Sequence, residues 1–397
     1  MAALTRPGRA NGLAGLLYRP EVRRVVYQVL ILGAVAFAAW WVVDNVAANL
    51  RRQGIVAGLD FLGETAGFDI SQSLIAYSNL STYGRAFWVG LLNTLLVAVL
   101  GIVAATVIGF VIGIARLSSN WLVARLAGAY VEIVRNLPLL LQLFFWYAAV
   151  LQTLPSPRQS YVLPLGAYLN VRGLHLPAPV AQPGFWAVAL ALAAGLAVAV
   201  AVWFWARRRQ ALTGERFPAF WTGLAAIVVL PLLAFLAAGS PLRFDYPQLQ
   251  GFNFQGGITL LPELIALLLG LSIYTASFIA EIVRAGILGV SKGQTEAAQA
   301  LGLSRGRTLR LVVVPQAARI IIPPLTSQYL NLTKNSSLAV AIGYPDLVNV
   351  FAGTVLNQTN KHAVEVILIT MGVFLTLSLL TSLFMNWFNR RMALVEG

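Results

Sequence analysis

The chain has 397 residues, of which 58% are hydrophobic and only 11% are charged, and its mean hydropathy is +0.77. A soluble globular domain contains about 25% charged residues, so the composition excludes a soluble enzyme or binding domain. The net charge of +14 could suggest nucleic-acid binding, but the charges lie at the ends of long apolar runs, where they serve membrane orientation.

The sequence also argues against thiol and metal chemistry. It contains no cysteine, so it has neither disulfides nor thiolate metal sites. Its two histidines, His175 and His362, are far apart in the chain. We therefore predict no metal centre on this chain.

Continuous apolar runs of about 20 residues predict membrane-spanning helices rather than barrel strands. We predict about eight spans, at 25–43, 86–115, 137–154, 185–206, 217–238, 258–280, 320–342 and 366–388. An amphipathic stretch covers 116–136, and polar loops cover 44–85, 155–184, 240–257 and 343–361. The predicted fold is an all-α membrane protein.

The distribution of basic residues predicts the orientation of these spans. Twenty of the 28 lysines and arginines lie in segments that share one side, namely 1–24, 116–135, 207–216, 284–319 and 390–391. Because basic residues are enriched on the cytoplasmic side, both termini are predicted to be cytoplasmic.

One polar segment, residues 291–315 (SKGQTEAAQALGLSRGRTLRLVVVP), lies between two apolar runs and is predicted on the same side. Thr295 is expected to cap a short helix that begins at Glu296. Gly302 is expected to end that helix in the left-handed conformation, and Ser304 to cap the next one. The segment therefore predicts a helix–turn–helix on the cytoplasmic surface.

The polar segment also carries a spaced pattern: Glu-Ala-Ala, three residues, Gly, nine residues, aliphatic, any residue, aliphatic, Pro. The matching residues are Glu296, Ala297, Ala298, Gly302, Val312, Val314 and Pro315. The pattern resembles that of the permeases of ABC importers. The resemblance implies that the short helix is a coupling helix docking into a separate ATPase, with Glu296, Ala297, Ala298, Gly302 and Pro315 as docking residues. The alternative is an ordinary amphipathic turn.

Flanking stretches are similar to the polar amino-acid branch of these importers, which implies a type I permease architecture. They are 131–143 (VEIVRNLPLLLQL), 274–286 (YTASFIAEIVRAG), 293–294 (GQ) and 334–338 (KNSSL). The resemblance covers about 85–155 and 258–390. We therefore divide the chain into an extra N-terminal tail, helix and periplasmic loop (1–85), a first core part (86–155), an inserted loop and helix pair (156–257) and a second core part (258–397).

Enlarged permeases of this kind resemble one of the two long permeases of the general L-amino-acid importers of Gram-negative bacteria. The resemblance implies a bacterial inner-membrane protein that moves polar L-amino acids. The implied partners are a second homologous permease, an ATPase dimer that holds ATP and magnesium, and a periplasmic amino-acid-binding protein. The chain lacks a GxxxxGK[ST] motif and a catalytic constellation, so we predict no enzyme activity and no cofactor on it.

Lys334 is the one charge well inside an apolar run, and charges in spans require a partner. Its ammonium is a candidate contact for a substrate α-carboxylate. Alternatively, it pairs with Glu263 or Glu281, or extends to the outer interface. Further candidates for the substrate path are polar residues of the predicted spans: Asn93, Thr94, Gln142, Tyr274, Ser277, Asn331 and Thr333. The alternative for each is a hydrogen bond between helices.

Other polar and small residues have local explanations. Gly109 and Gly113 form a GxxxG motif, which predicts close helix packing. Two Glu/Arg pairs with i, i+3 spacing, Glu281–Arg284 and Glu132–Arg135, predict local ion pairs. In the outer loops, the candidate contacts for a binding protein are Arg243, Asp245 and Asp346.

Two rival functions remain open at this point. An ion-coupled secondary transporter would use Glu263 or Glu281 as its intramembrane acid, although we find no internal repeat of the kind such transporters contain. A non-transporting membrane scaffold would associate with no ATPase. Uptake after membrane depolarisation with ATP kept high separates the first rival from an ABC importer, and co-purification of an ATPase separates the second.

Overall fold

A computed structural model describes residues 20–52 and 58–392. In these residues seven helices are long and apolar enough to cross a membrane, or eight if one bent pair counts as a span. This confirms the predicted membrane protein with about eight helical spans. The chain ends, 1–19 and 393–397, lie outside the described residues, and the cytoplasmic location of both termini stays a prediction.

The helices are α1 Pro20–Arg52, α2 Tyr83–Ala115, α3 Trp121–Asn136, α4 Leu139–Phe144, α5 Phe185–Thr213, α6 Ala219–Ala237, α7 Pro262–Leu288, α8 Lys292–Ala300, α9 Arg305–Thr308, α10 Val314–Asn335 and α11 Ala363–Met392. Unlabelled short helical segments are Asp60–Gly63, Phe145–Val150, Leu151–Thr153, Pro157–Gln159, Pro164–Gly166, Leu309–Val313, Ser336–Ile342, Val348–Val355, Leu356–Gln358 and Asn360–His362. The first helix extends past the predicted span into the region predicted as a loop.

The predicted span 137–154 is helical over Leu139–Thr153, which comprises α4 and the two short helical segments after it, and it is bent by 106° from the amphipathic helix α3. The bend falls at Leu137, whose backbone is extended because the residue before a proline avoids the helical conformation. Gln142 closes the bend, since its Nε2 donates to the carbonyl oxygens of Val134 and Leu137, both at 3.0 Å.

The central packing of the molecule is between α2 and α7. A Cβ at Gly109 would lie 2.6 Å from Cβ of Ile279, and one at Gly113 would lie 2.7 Å from the carbonyl oxygen of Ala280. Only glycine allows the two backbones to come this close, which confirms the close packing predicted for the GxxxG motif. Helix α10 packs against α7 and α11 and adds the fully buried Leu332 to this core.

The regions predicted as the loops 155–184 and 240–257 contain seven short strands, and an eighth lies at the start of the predicted span 258–280; none of these strands was predicted from the sequence. They are β1 Tyr161–Leu163, β2 Ala167–Asn170, β3 Gly173–Leu176, β4 Ala178–Ala181, β5 Leu242–Asp245, β6 Gln248–Gln250, β7 Asn253–Gln255 and β8 Ile258–Leu260. All pairs are antiparallel, in one four-stranded sheet of order β1-β2-β3-β8 and two hairpins, β4-β5 and β6-β7.

The pairings β3–β8 and β4–β5 join the two halves of this region across the helices between them. We call the joined strands, residues 161–181 and 242–260, the β-platform. It lies at the start of α7, since β8 ends two residues before Pro262. The α5–α6 hairpin leaves from it and returns to it.

The two helices of this hairpin pack closely on each other. A Cβ at Gly195 would lie 2.7 Å from the carbonyl oxygen of Ala226. Helix α5 continues beyond the predicted stop at 206, and the guanidinium of Arg207 stacks over the Trp203 ring at 4.0 Å. That 156–257 is an insertion remains a prediction.

Candidate functional site

The polar segment folds as a helix, a turn and a second helix. Helix α8 begins at Lys292, so Thr295 lies inside it and the predicted cap at Thr295 is wrong. Ser291 occupies the N-cap position with Gln294 three residues later, the spacing of a capping box, although no side-chain capping bond forms. This spacing explains why the helix starts one turn earlier than predicted.

Gly302 ends α8 in the left-handed conformation, with φ of +76°, as predicted. The N–H of Leu303 donates to the carbonyl of Ala298 at 3.1 Å, and the N–H of Gly302 donates to that of Gln299 at 2.9 Å. These two bonds form a Schellman motif. No atom lies within 4 Å of a Cβ placed at Gly302, so the backbone angle, and not space, requires glycine here.

The two sides of α8 differ in exposure. Glu296 and Ala297 are exposed, while Ala298 is buried. Helix α8 packs against the short helical segment Leu309–Val313. Leu301, which the sequence analysis did not single out, exposes 83% of its surface beside Gly302.

The second half of the polar segment continues into the membrane. Ser304 occupies the N-cap position of α9 as predicted, but makes no side-chain capping bond. Helix α9 and the turn Leu309–Val313 run without a break into α10, with Pro315 in its first turn, where proline is tolerated. A displacement of the polar segment is therefore transmitted directly to α10.

An ion cluster lies at the same end of the core. Glu281 Oε1 accepts from Arg284 Nη2 at 2.6 Å, which confirms the predicted local pair. Arg116, which follows α2, also pairs with Glu281 through Oε2, a contact that was not predicted. The cluster ties the ends of α2 and α7 together just before the polar segment.

The other predicted local pair, Glu132–Arg135, is wrong within the described residues. The guanidinium of Arg135 instead lies 4.8 Å from the centroid of the Phe278 ring on α7. Either interaction would give the Arg135 guanidinium a partner. The contact with Phe278 joins α3 to α7, whereas an ion pair with Glu132 would have stayed within α3.

Five of the predicted substrate-path residues are buried and hydrogen-bonded within the protein: Asn93, Thr94, Gln142, Ser277 and Thr333. Asn93 Nδ2 donates to the carbonyl of Pro345 at 2.8 Å, and Thr94 Oγ1 accepts from the N–H of Leu347 at 3.0 Å. Ser277 and Thr333 donate to carbonyls within their own helices. These contacts give each of the five side chains a partner within the protein, while Oδ1 of Asn93 has no hydrogen-bond partner.

The remaining candidates are more accessible. Tyr274 is half-buried and makes an edge-to-face contact with Phe278, while Asn331 and Lys334 are exposed on α10. Lys334 pairs with neither predicted acid, since Glu281 binds two arginines and Glu263 Oε1 accepts from Tyr147 Oη at 2.9 Å. Lys334 lies within the candidate span Arg305–Ile342, as predicted, and its side chain is exposed in this single chain.

Asp346 was predicted as an outer-loop contact, and this is wrong because it is fully buried. Its Oδ1 accepts from the N–H of Asn349 at 2.8 Å, while Oδ2 has no hydrogen-bond partner. Burial raises the pKa of Asp346 to about 7, although the backbone N–H bonds oppose the shift. Of the two other loop candidates, Asp245 accepts from the N–H of Gly257 and Arg243 is exposed on β5.

Residues 195–394, which include the whole polar segment, match the model of a known family, the binding-protein-dependent transport system inner membrane components. The chain belongs to this family. The result confirms the resemblance to importer permeases, and we call the chain the permease below.

Whole-length relatives support the assignment. The permease is 57% identical to the general L-amino acid transport system permease protein AapQ of Rhizobium johnstonii, over 96% of this chain and 94% of the relative. It is 52% identical to the putative amino-acid ABC transporter permease protein YhdX of Escherichia coli, over 95% and 96%. It is 41% identical to the glutamate/glutamine/aspartate/asparagine transport system permease protein BztB of Rhodobacter capsulatus, over the full length of both.

Family membership makes the permease a multi-pass membrane subunit of an ABC transport system, whose function is transport and which requires partner subunits. The matched range includes the polar segment, Lys334 and the Glu281–Arg284 part of the ion cluster, whereas Arg116 lies before it. The docking role of Glu296, Ala297, Ala298, Gly302 and Pro315 stays a prediction.

Proposed function

We propose that the permease is one of two homologous membrane subunits of an ABC importer that moves polar L-amino acids from the periplasm to the cytoplasm of a bacterial cell. The observation that carries this proposal is the exposed polar segment, which is continuous with α10 and adjoins the ion cluster on α2 and α7. The names of the relatives AapQ, YhdX and BztB support amino acids as the substrates.

In this proposal the polar segment docks into an ATPase dimer on the cytoplasmic side. Glu296 and Ala297 present the exposed face of α8, Ala298 fixes its inner face, and Gly302 fixes the turn. Pro315 marks the point where the segment joins α10. ATP and magnesium are held by the ATPase, and the permease contributes no catalytic group or cofactor.

The ion cluster explains how a local push moves several helices. Glu281 holds Arg116 at the end of α2 and Arg284 on α7, so these helix ends move as one body when the ATPase closes. Rigid-body movement of packed helices is a common way to switch a site between two sides of a membrane. A soluble amino-acid-binding protein delivers substrate at the opposite, periplasmic side.

We place the substrate path between this permease and its partner. Lys334 and Asn331 are exposed on α10 in the single chain, and an interface with a second permease would cover them. Lys334 remains our proposed contact for the substrate α-carboxylate. Tyr274 on α7 remains a further candidate for the substrate path. Ion coupling through Glu281 is disfavoured because two arginines neutralise it.

The test is a bulky, β-branched residue at Gly302. Gly302→Val forces valine into a left-handed backbone, which costs about 1–3 kcal/mol and distorts the turn. We expect at least a tenfold loss of amino-acid uptake and of ATPase co-purification. Glu296→Trp, which blocks the exposed face without backbone strain, should have the same effect.

Gly306→Val is the matched control, because Gly306 lies in the same segment without a positive φ and with open space around its Cβ position. Uptake is measured in vesicles that contain the complete transporter, with and without depolarisation at high ATP. Intact ATPase association together with intact uptake in Gly302→Val and Glu296→Trp would overturn the proposal.

A further inference from the structure

A polar cavity of about 370 Å³ lies between the β-platform and the helical core. The β-platform side contributes Arg172, His175 and Asn253, and the core side contributes Ser71, Gln152 and Glu263. Its volume is in the lower part of the roughly 300–1,000 Å³ range of small-molecule pockets. None of these residues belongs to the polar segment or to the predicted substrate path.

The cavity contains charged groups of both signs that are not paired with each other. Arg172, between β2 and β3, and Glu263, in the first turn of α7, both line it, and the described residues form no ion pair between them. Tyr147 donates to Oε1 of Glu263 and fixes one edge of that carboxylate.

A third residue of the cavity has an unused hydrogen-bonding atom. His175 is 1% exposed, and its ring stacks on Phe254 with centroids 4.7 Å apart. Nδ1 lies 2.9 Å from Thr259 Oγ1, whereas Nε2 has no partner. A buried polar atom without a partner is rare and often marks a place where a ligand or water binds.

We propose that this cavity binds a free zwitterionic amino acid at the β-platform end of the permease, with Arg172 facing the α-carboxylate, Glu263 facing the α-ammonium and His175 available to the polar side chain. The proposal rests on the proposed function, since it assumes that the transported substrates are amino acids. A guanidinium and a carboxylate that line one small polar cavity without pairing with each other match the two charges of a zwitterion. In this proposal residues 156–257 contribute Arg172, His175 and Asn253 to a substrate site on the side where the substrate enters.

The test measures amino-acid binding to the complete transporter in lipid nanodiscs without the soluble binding protein. The probes are L-glutamine, L-glutaminamide, which lacks the carboxylate, and N-acetyl-L-glutamine, which lacks the ammonium. We expect the wild type to prefer L-glutamine to both analogues. Arg172→Gln should weaken L-glutamine binding at least tenfold and leave L-glutaminamide unchanged. Glu263→Gln should weaken L-glutamine binding to a similar degree and leave N-acetyl-L-glutamine unchanged.

Arg158→Gln is the matched control, since Arg158 is an exposed arginine that precedes β1 and stacks over Phe252 at 5.0 Å, away from the cavity lining. It should bind L-glutamine as the wild type does. Equal L-glutamine affinity in all variants, or no measurable binding to the wild type, would overturn the cavity proposal. Uptake with the binding protein present is measured on the same samples: a wild-type transporter that imports no amino acid refutes the proposed function instead.

Discussion

Two pairs of helices in this permease use the same packing device in different surroundings. In α2–α7, Gly109 and Gly113 bring two backbones together inside the core, and 56% of the most apolar stretch of α7 is buried. In α5–α6, Gly195 brings the backbones equally close, but only 6% of the corresponding stretch of either helix is buried. Close approach through glycine therefore makes a helix pair without making a core.

The difference lies in what surrounds each pair. Around α2–α7 the protein adds α10, the ion cluster and the buried residues near Asp346. Around α5–α6 the described residues leave apolar faces exposed, so lipid or another subunit must cover them. We expect perturbations of the first pair to disrupt folding and transport, and equal perturbations of the second to remain local.

The largest contrast is expected from Gly113→Leu and Gly195→Leu. In both, the new Cβ would lie 2.7 Å from a backbone oxygen that cannot move aside cheaply. Gly113→Leu should destabilise the fold by about 3 kcal/mol and abolish uptake, because overpacking in a core strains its surroundings. Gly195→Leu should separate the hairpin while the core keeps its thermal unfolding temperature.

Both variants are measured by thermal unfolding in detergent and by uptake in vesicles. Gly372→Leu on α11 is the control, since no atom lies within 4 Å of its Cβ position. If Gly195→Leu is as damaging as Gly113→Leu, the hairpin belongs to the core and the comparison fails.

The next effect concerns the buried Asp346, whose pKa of about 7 lies above its ordinary value of 3.8. The folded state favours the neutral form of Asp346. The contribution of this group to the stability of the fold is therefore fully present below pH 3.8 and is lost as the pH rises towards 7. Between pH 5 and 7 the free energy of unfolding should fall by about 1.4 kcal/mol per pH unit from this group.

Asp346→Asn should remove this slope, since asparagine resembles the neutral acid, and should stabilise the protein at pH 8. Thermal unfolding in detergent across pH 5–8 provides the measurement. Asp245→Asn, a change to an exposed aspartate of the β-platform, should leave the slope in place. A slope that survives in Asp346→Asn assigns the titration to another group.

A smaller contrast is expected between two ion pairs. Glu281→Gln breaks a partly buried cluster whose side chains are 17–32% exposed, and we expect a loss of about 1–2 kcal/mol after allowance for solvent screening. Glu215→Gln breaks the Arg209–Glu215 pair of the hairpin, where the side chains are 41% and 66% exposed. Its effect should be below about 0.5 kcal/mol.

Urea or thermal titration of the two variants gives these values, and added salt distinguishes them further. Raising the salt concentration should reduce the already small effect of Glu215→Gln more than that of Glu281→Gln. Equal losses of unfolding free energy in the two variants would show that partial burial of the core cluster does not increase its contribution to stability.

The smallest effect on stability is expected for Lys334→Ala, because Lys334 is exposed and makes no ion pair among the described residues. Its unfolding temperature should match that of the wild type. If Lys334 contacts the α-carboxylate between two permeases, uptake should nevertheless fall several-fold. Normal transport rates and an unchanged substrate range would remove Lys334 from the substrate path.

Several features of this permease follow from the sequence alone because their causes are local. A continuous apolar run must span the bilayer as a helix, since its backbone groups have no other partners there. The φ of Gly302, the position of Pro315 in the first turn of α10 and the Glu281–Arg284 pair each depend on residues within a few positions. The spacing of the polar segment was therefore enough to indicate the family.

Other features depend on residues that are far apart in the chain, and only the tertiary structure determined them. The strands of the β-platform have three or four residues, too few to show a period, and two of their pairings, β3–β8 and β4–β5, cross the α5–α6 hairpin. Arg116 reaches Glu281 over 165 positions, and the burial of Asp346 depends on α2. The cavity joins Arg172 to Glu263 only because β3 pairs with β8, and no local pattern in either segment marks it.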